Sequence, residues 1–168
     1  MNNRSASDIV QQDLNYICEK CSAEFEKLSG KNVLITGGAG FLGYYLVQAL
    51  LHWNLKRETG DKITIVIYDN FIRGLPEWLE AIQNKEQLHI VKHDITNPLP
   101  ESNLDFEYII HAASIASPTY YRKYPLETMD ANVNGLRYLL EYARSQKDTD
   151  SPVEGFLNFS TSEIYGDP

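Results

Sequence analysis

The feature that most constrains this chain is Gly37-Gly38-Ala39-Gly40-Phe41-Leu42-Gly43, whose glycines recur every third residue between an apolar run at 33–36 and a helix-like apolar segment at 41–53. Glycines in that place let a chain turn tightly, approach another group with bare backbone, and pack a helix closely. Gly37 suits the turn out of the strand, Gly40 the approach to a pyrophosphate, and Gly43 close packing of the helix on the sheet. The helix that opens at Phe41 and Leu42 presents free N–H groups and the positive end of its dipole to an anion.

From there short apolar runs alternate with helical segments. Strands are expected at 33–36, 63–68, 88–92, 106–110 and 155–160, and helices at 41–53, 76–83 and 125–145. Strands apolar on both faces and separated by helices imply a parallel sheet covered on both sides. The fold class is α/β, a Rossmann-like doubly wound parallel sheet whose sequence ends after the fifth strand. An extra helix precedes it: Val10, Leu14, Ile17, Cys21, Phe25 and Leu28 fall at helical spacing over 8–28, with Ser7 or Asp8 as cap and Gly30 as terminator. This divides the chain into a helical extension at 1–30 and a dinucleotide-binding unit at 31–168. The extension reads as a brace on its own domain, with a dimerisation arm as the alternative.

Charge narrows the partners. With 15 Lys and Arg against 23 Asp and Glu, the net charge is -8 and no basic run occurs, so nucleic acid is a poor partner. No apolar run reaches membrane-spanning length, and residues 1–7 lack the apolar core of a secretory signal. A soluble, cytoplasmic protein without membrane contact is expected. Cys18 and Cys21 read as reduced thiols that pack as small hydrophobes, and the four scattered histidines offer no metal site.

Three further spots fit a dinucleotide. Asp69, with Asn70 after it, ends the second strand, where a carboxylate accepts hydrogen bonds from ribose hydroxyls and repels a 2'-phosphate, favouring NAD over NADP. Asp94 and Ile95 end the third strand, where they would meet the amine and the flat face of adenine; a turn-forming role for Asp94 is equally open. Ala112 and Ala113 end the fourth strand and leave room for a cofactor to cross the sheet edge.

Taken in order, Thr36 through Gly43, Tyr68-Asp69-Asn70, His93-Asp94, His111-Ala112-Ala113, Asn132-Val133-Asn134-Gly135 and Ser160 through Pro168 resemble the extended short-chain dehydrogenase/reductase family of NAD-dependent epimerases and dehydratases acting on nucleotide sugars. The resemblance implies Asn132 on the cofactor side and Ser114, Ser117, Pro118 and Tyr121 on the sugar side. Ala116-Ser117-Pro118, Tyr120-Tyr121 and the last nine residues are most similar to those members that decarboxylate UDP-glucuronate to UDP-xylose. It then implies oxidation of the sugar at C4 by NAD+, loss of carbon dioxide from the β-keto acid, and return of the hydride. In that scheme Thr161 bonds the C4 oxygen and Glu163 assists the decarboxylation. A 4,6-dehydratase would carry Asp-Glu where this chain has Ser162-Glu163, and a 4-epimerase has no evident use for Glu163.

The family's Tyr-x-x-x-Lys base belongs downstream of the fifth strand, and the sequence stops at Pro168. The expectation is therefore the N-terminal part of such an enzyme, binding NAD without turning over UDP-glucuronate. A homodimer, or a partner chain covering the sheet, would complete it. A non-catalytic NAD-binding module and a split enzyme are the other readings.

Overall fold

Side-chain alternation along β1 (Asn32–Thr36) sets the architecture. In the computed structural model, which describes residues 5–166 apart from the side chains of Ser162 and Glu163, Val33 and Ile35 enter one core and Leu34 the other, all fully buried. A strand buried on both faces needs cover on both. β1 pairs in parallel with β2 (Thr64–Asp69) on one side and β4 (Tyr108–His111) on the other. β3 (Leu88–Lys92) then pairs with β2, and β5 (Gly155–Asn158) with β4, giving the all-parallel order β3-β2-β1-β4-β5. The winding reverses between β1 and β4, and open α/β sheets bind ligands at the carboxyl ends of the strands beside such a reversal.

The first core joins Val33, Ile35, Ile65 and Ile67 to Val47, Leu50 and Leu51 of α3 (Phe41–Asn54) and to Leu79 of α4 (Glu77–Glu80). The second joins Leu34, Val66, Tyr68 and Ile109 to Ile95, Phe106, Ala131 and Leu139. Asn54, buried at the end of α3, fixes that helix to the sheet: its amide receives the Ile63 N–H and donates to the Ile63 carbonyl, both at 2.8 Å.

Several boundaries differ from the sequence expectation. The strand expected at 106–110 begins at Tyr108, because the Phe106 N–H is donated to the Tyr142 hydroxyl at 2.8 Å and not to a neighbouring strand. The helix expected at 76–83 shortens to α4, with Pro76 as its N-cap. A helix not foreseen, α5 (Pro118–Lys123), starts with proline at its first turn. The expected helix at 125–145 is present, but α6 (Pro125–Asp130) and α7 (Leu136–Ser145) are joined by one wide π-helical turn, Ala131–Gly135.

The N-terminal helix is also two helices, α1 (Ala6–Lys20) and α2 (Ser22–Leu28), which meet at Cys21. Its cap is Ser5, not Ser7 or Asp8: the Ser5 hydroxyl accepts the Asp8 N–H, and the Asp8 carboxylate accepts the Ser5 N–H. α1 lies along α3. Leu14 is 6% exposed, the Tyr45 hydroxyl donates to Asp13 at 2.9 Å, and the Cys18 thiol donates to the Ala49 carbonyl at 3.5 Å. From α2, Phe25 meets the edge of Trp53 at 5.5 Å, while Arg57 lies 4.1 Å over the same indole and pairs with Glu26 at 2.7 Å. Both cysteines are free and half-buried, and burial raises the Cys18 thiol above its ordinary value.

These contacts make the two helices a brace on α3. Leu14→Ala, which empties a buried site, is expected to cost about 2–4 kcal/mol in denaturant unfolding. Tyr16→Ala, at a position 60% exposed on the same helix, should stay within about 0.5 kcal/mol.

Candidate functional site

The glycine loop leaves β1 through two backbone hydrogen bonds, Gly37 N–H to the Tyr68 carbonyl at 2.8 Å and Ala112 N–H to the Thr36 carbonyl at 3.1 Å. Gly37 has φ +70°, and a Cβ there would lie 2.7 Å from Ala112 and Ala113 backbone atoms. The tight turn assigned to it is seen. At Gly43 a Cβ would strike the Gly38 carbonyl, so its bareness lets α3 close onto its own loop. Gly38, given no separate role from the sequence, is pressed on the sheet, with a Cβ position 2.8 Å from Ile67.

α3 then begins at Phe41 with Gly40 as N-cap, no side-chain cap and no acidic residue in its first turn. The N–H groups of such a first turn have no partner within their helix. The side chains of Phe41 and Leu42 are 89% and 48% exposed. This is an open, electropositive helix end at the carboxyl edge of the sheet.

Asp69 stands beside it. Its Oδ2 accepts the Ala39 N–H at 3.1 Å and its Oδ1 accepts the Phe71 N–H at 2.8 Å, tying the glycine loop to the segment after β2. Phe71 takes φ +52°, a left-handed conformation uncommon outside glycine, and the neighbouring Asn70 accepts the Ile72 N–H at 3.0 Å. Asn70 also donates to Asp94 at 3.2 Å, joining the ends of β2 and β3.

Asp94 forms the turn that was left open. Its Oδ1 accepts from both the backbone and the hydroxyl of Thr96, at 3.0 and 2.8 Å. Burial raises its carboxyl, but the hydrogen bonds from Thr96 and Asn70 outweigh burial and hold it below the usual range. Ile95 is only 5% exposed and sits in the second core, so it offers a ligand little surface. Ala112, Ala113 and Ser114 leave β4, and the Asn132 amide donates to the Ser114 hydroxyl at 3.0 Å and to the Thr128 carbonyl at 2.7 Å.

On the far side, Ser117 opens α5 by accepting the Tyr120 and Tyr121 N–H groups, both at 2.9 Å, with Pro118 after it. Arg73, from the loop after β2, lies 5.7 Å over the Tyr120 ring. Thr161 follows β5, is exposed, and accepts the Ile164 N–H at 3.3 Å. Glu163 lies in the turn Ser162–Tyr165; its side chain falls outside the described residues. The chain does hold one Tyr-x-x-x-Lys, Tyr16 to Lys20, overlooked from the sequence. It lies on α1, with Tyr16 exposed and the Lys20 ammonium 5.7 Å over its ring, on the brace and not at the strand ends. Among the described residues no three metal-ligating side chains gather and no helix is long and apolar enough to cross a membrane.

Two histidines lie beneath these strand ends. His111 is 3% exposed and shares a 2.6 Å hydrogen bond with the Thr36 hydroxyl. Burial pushes it below its ordinary value, partly offset by a hydrogen bond to the Ala131 backbone. His93 packs edge-on to Tyr68 at 5.3 Å, with no partner for Nε2 among the described residues, and burial lowers it despite a backbone bond to Asn97 and the charge of Asp94. His52 is likewise lowered by burial and by Lys56. A histidine depressed in the folded state binds its proton more readily when unfolded. Its contribution is thus complete above about pH 6.5 and is lost as pH falls from there towards the folded value. Stability followed by denaturant unfolding is expected to fall between about pH 6.5 and 5, and His111→Gln should flatten that slope.

The comparisons agree with this geometry. Residues 33–168 match the NAD dependent epimerase/dehydratase family. UDP-glucuronic acid decarboxylase 2 of Arabidopsis thaliana is 34% identical over 142 residues, 84% of this chain but 28% of that protein. Among solved structures, an NAD dependent NDP-hexosamine 5,6-dehydratase of tunicamycin biosynthesis is 30% identical with a TM-score of 0.58, over 81% of this chain and 40% of its own. The UDP-N-acetylglucosamine 4-epimerase of Methanobrevibacter ruminantium is 26% identical with a TM-score of 0.60, over 83% and 41%. The chain thus spans under a third of the length of that decarboxylase. With the family matched over residues 33–168, most of the chain, and a five-stranded parallel sheet like that of the solved neighbours, the chain belongs to the NAD dependent epimerase/dehydratase family.

Proposed function

We propose that residues 31–168 form the dinucleotide-binding unit of an NAD-dependent nucleotide-sugar enzyme, braced by the helices within residues 1–30, and that the reaction is decarboxylation of UDP-glucuronate through a 4-keto sugar. The observation that carries this reading is the 34% identity to a UDP-glucuronic acid decarboxylase. Fold alone would leave several reactions open.

The chain's own groups fit the cofactor. The uncapped start of α3, at Phe41, Leu42 and Gly43, suits the pyrophosphate, since no carboxylate in that turn competes with it. Asp69 suits the adenosine ribose, with Asn70 and Asp94 towards adenine, while Ile95 is too buried to face the ring and backs that turn from the core. Ala112 and Ala113 let the dinucleotide cross β4, and Asn132 stands on the nicotinamide side. NAD bound there supplies a hydride acceptor for the sugar carbon. Thr161 would hold the C4 oxygen, Glu163 would assist loss of the carboxylate, and Ser114, Ser117, Pro118 and Tyr121 would line the sugar. A threonine hydroxyl orients that oxygen but is too weak a base to take its proton near neutral pH. The chain's one Tyr-x-x-x-Lys is on the brace, so these residues alone are expected to bind dinucleotide without turning over sugar. Exposed Leu126 and Met129 of α6, Val133 of the π turn and Leu140 of α7 support self-association, and a cytoplasmic protein is part of the reading.

NADH fluorescence titration tests the cofactor site. The chain should bind NADH, with NADPH and the Asp69→Ala variant each weaker by about tenfold or more, about 1.4 kcal/mol; equal affinities would remove Asp69 from the site. Expressed from its whole coding sequence, the protein should release carbon dioxide and UDP-xylose from UDP-glucuronate. Conversion of UDP-glucuronate to UDP-galacturonate would replace decarboxylation by epimerisation, and conversion of UDP-glucose, which has a C6 hydroxyl to lose, to a 4-keto-6-deoxy sugar would replace it by dehydration.

A further inference from the structure

Arg73 stands outside the function proposed above, yet its side chain reaches over the ground that function uses. Its guanidinium lies 5.7 Å over the ring of Tyr120, within the range of a cation–π contact. Arg73 belongs to the turn after β2, and Tyr120 to the first turn of α5, on the segment that leaves β4. In the sheet β1 lies between β2 and β4. The contact therefore spans the carboxyl end of β1, which is where the glycine loop begins. That loop fills the space between the two flanking strand ends. On the β2 side Asp69 accepts the Ala39 N–H at 3.1 Å, and on the β4 side a Cβ on Gly37 would stand 2.7 Å from Ala112 and Ala113.

The turn that carries Arg73 is held from several sides. Asp69 accepts the Phe71 N–H at 2.8 Å, Asn70 accepts the Ile72 N–H at 3.0 Å, and the Phe71 carbonyl accepts the Gly74 N–H at 2.8 Å. The Phe71 side chain packs against the first core while its backbone stays at φ +52°. That conformation is unfavourable for a bulky residue and persists only where the surroundings impose it. Arg73 is thus presented by a fixed turn, with its side chain exposed. Among the described residues no carboxylate forms an ion pair with it. A guanidinium seated on a ring keeps N–H groups along its edge, and these can form paired hydrogen bonds to phosphate oxygens.

Two anionic groups of a dinucleotide could draw an arginine to this turn, a 2'-phosphate and the diphosphate. A 2'-phosphate would sit with the adenosine ribose at Asp69, on the β2 side. Arg73 reaches the other way, from β2 towards β4 and across the loop that opens α3, where the diphosphate would lie. Charge favours the same choice. Asp69 is tied to the glycine loop, so its carboxylate repels a diphosphate placed there, and a cation on the same turn offsets that repulsion.

We infer that Arg73 is a diphosphate-binding residue of the cofactor site, seated on Tyr120 so that its guanidinium lies over the glycine loop before the dinucleotide arrives. The inference rests on the NAD-binding reading of that loop and gives it a cation that the glycine motif does not contain.

The test is NADH fluorescence titration at low and high salt, with ADP by calorimetry as the probe that keeps the diphosphate and lacks the nicotinamide. Arg73→Ala should weaken NADH and ADP about tenfold and flatten the salt dependence of both. It should leave the melting temperature in place, and Arg73→Lys should recover part of the loss. NADPH should weaken by the same factor as NADH. Tyr120→Leu should weaken NADH severalfold when Arg73 is present and not in the Arg73→Ala background; Tyr120→Phe, which keeps the ring, should restore the affinity. NADH affinity within about twofold of wild type in Arg73→Ala overturns the inference. So does a loss confined to NADPH, which would put Arg73 at a 2'-phosphate, and a Tyr120→Leu effect that persists without Arg73 overturns the seating on Tyr120. A wild-type chain that binds neither NADH nor ADP brings down the cofactor reading and this inference together, whereas NADH binding indifferent to Arg73 brings down the inference alone.

Discussion

The parallel pairing of β1 continues one residue past the strand on each side, and the rest of the site depends on that continuation. The Gly37 N–H reaches the Tyr68 carbonyl, and the Ala112 N–H reaches the Thr36 carbonyl. The glycine loop is therefore held in register with the ends of both β2 and β4 before any ligand arrives. Asp69 follows Tyr68 directly, and Ala113 and Ser114 follow Ala112, so the same two bonds set the distance between the loop, the carboxylate and the crossing point. A slip of one residue in β1 would part Thr36 from His111 and turn Val33 and Ile35 to the wrong core.

An anion site at the start of α3 requires that this end stay uncapped, so the helix must be anchored elsewhere. Using glycine as N-cap in place of serine or threonine costs a few tenths of a kcal/mol. The anchors lie along the rest of the helix: Asn54 clamps its last turn to Ile63, and the brace takes hold of Tyr45, Ala49 and Trp53. Most of the brace, outside the stretch matched by the family, thus acts on the element whose free end would receive the pyrophosphate.

The sheet was legible because its strands are nearly unbroken β-branched or apolar runs, and a strand buried on both faces has no other composition open to it. The glycine loop and Asp69 were legible because position between strand and helix gives them meaning. What escaped the sequence depends on which partner a group finds. Phe106 looks like strand but gives its N–H to Tyr142, and α1 and α2 share one apolar stripe although Cys21 breaks the helix. The π turn at 131–135 keeps a helical pattern and shows itself only in the backbone. Motif spacing says that Gly43 must be small, and only coordinates say that a Cβ there would strike the Gly38 carbonyl. Tyr16 and Lys20 show the limit of spacing from the other side, since a Tyr-x-x-x-Lys spacing is present but lies on the brace.

The polar groups at the strand ends are already bonded to their own chain, so much of the cost of ordering them is met on folding, not on binding. That raises the question of what they still offer. Each oxygen of Asp69 holds one backbone N–H and keeps a second lone pair, so the carboxylate can fix the loop and accept ribose hydroxyls together. Asn132 is more restricted. The Thr128 carbonyl can only accept, which puts the amide nitrogen towards it, and the second hydrogen of that nitrogen goes to Ser114. Only Oδ1 is left for a ligand, so in this arrangement Asn132 can recognise a donor, such as a carboxamide N–H or a hydroxyl, and not a carbonyl or a phosphate oxygen. The amide end of a nicotinamide and a sugar hydroxyl both meet that condition.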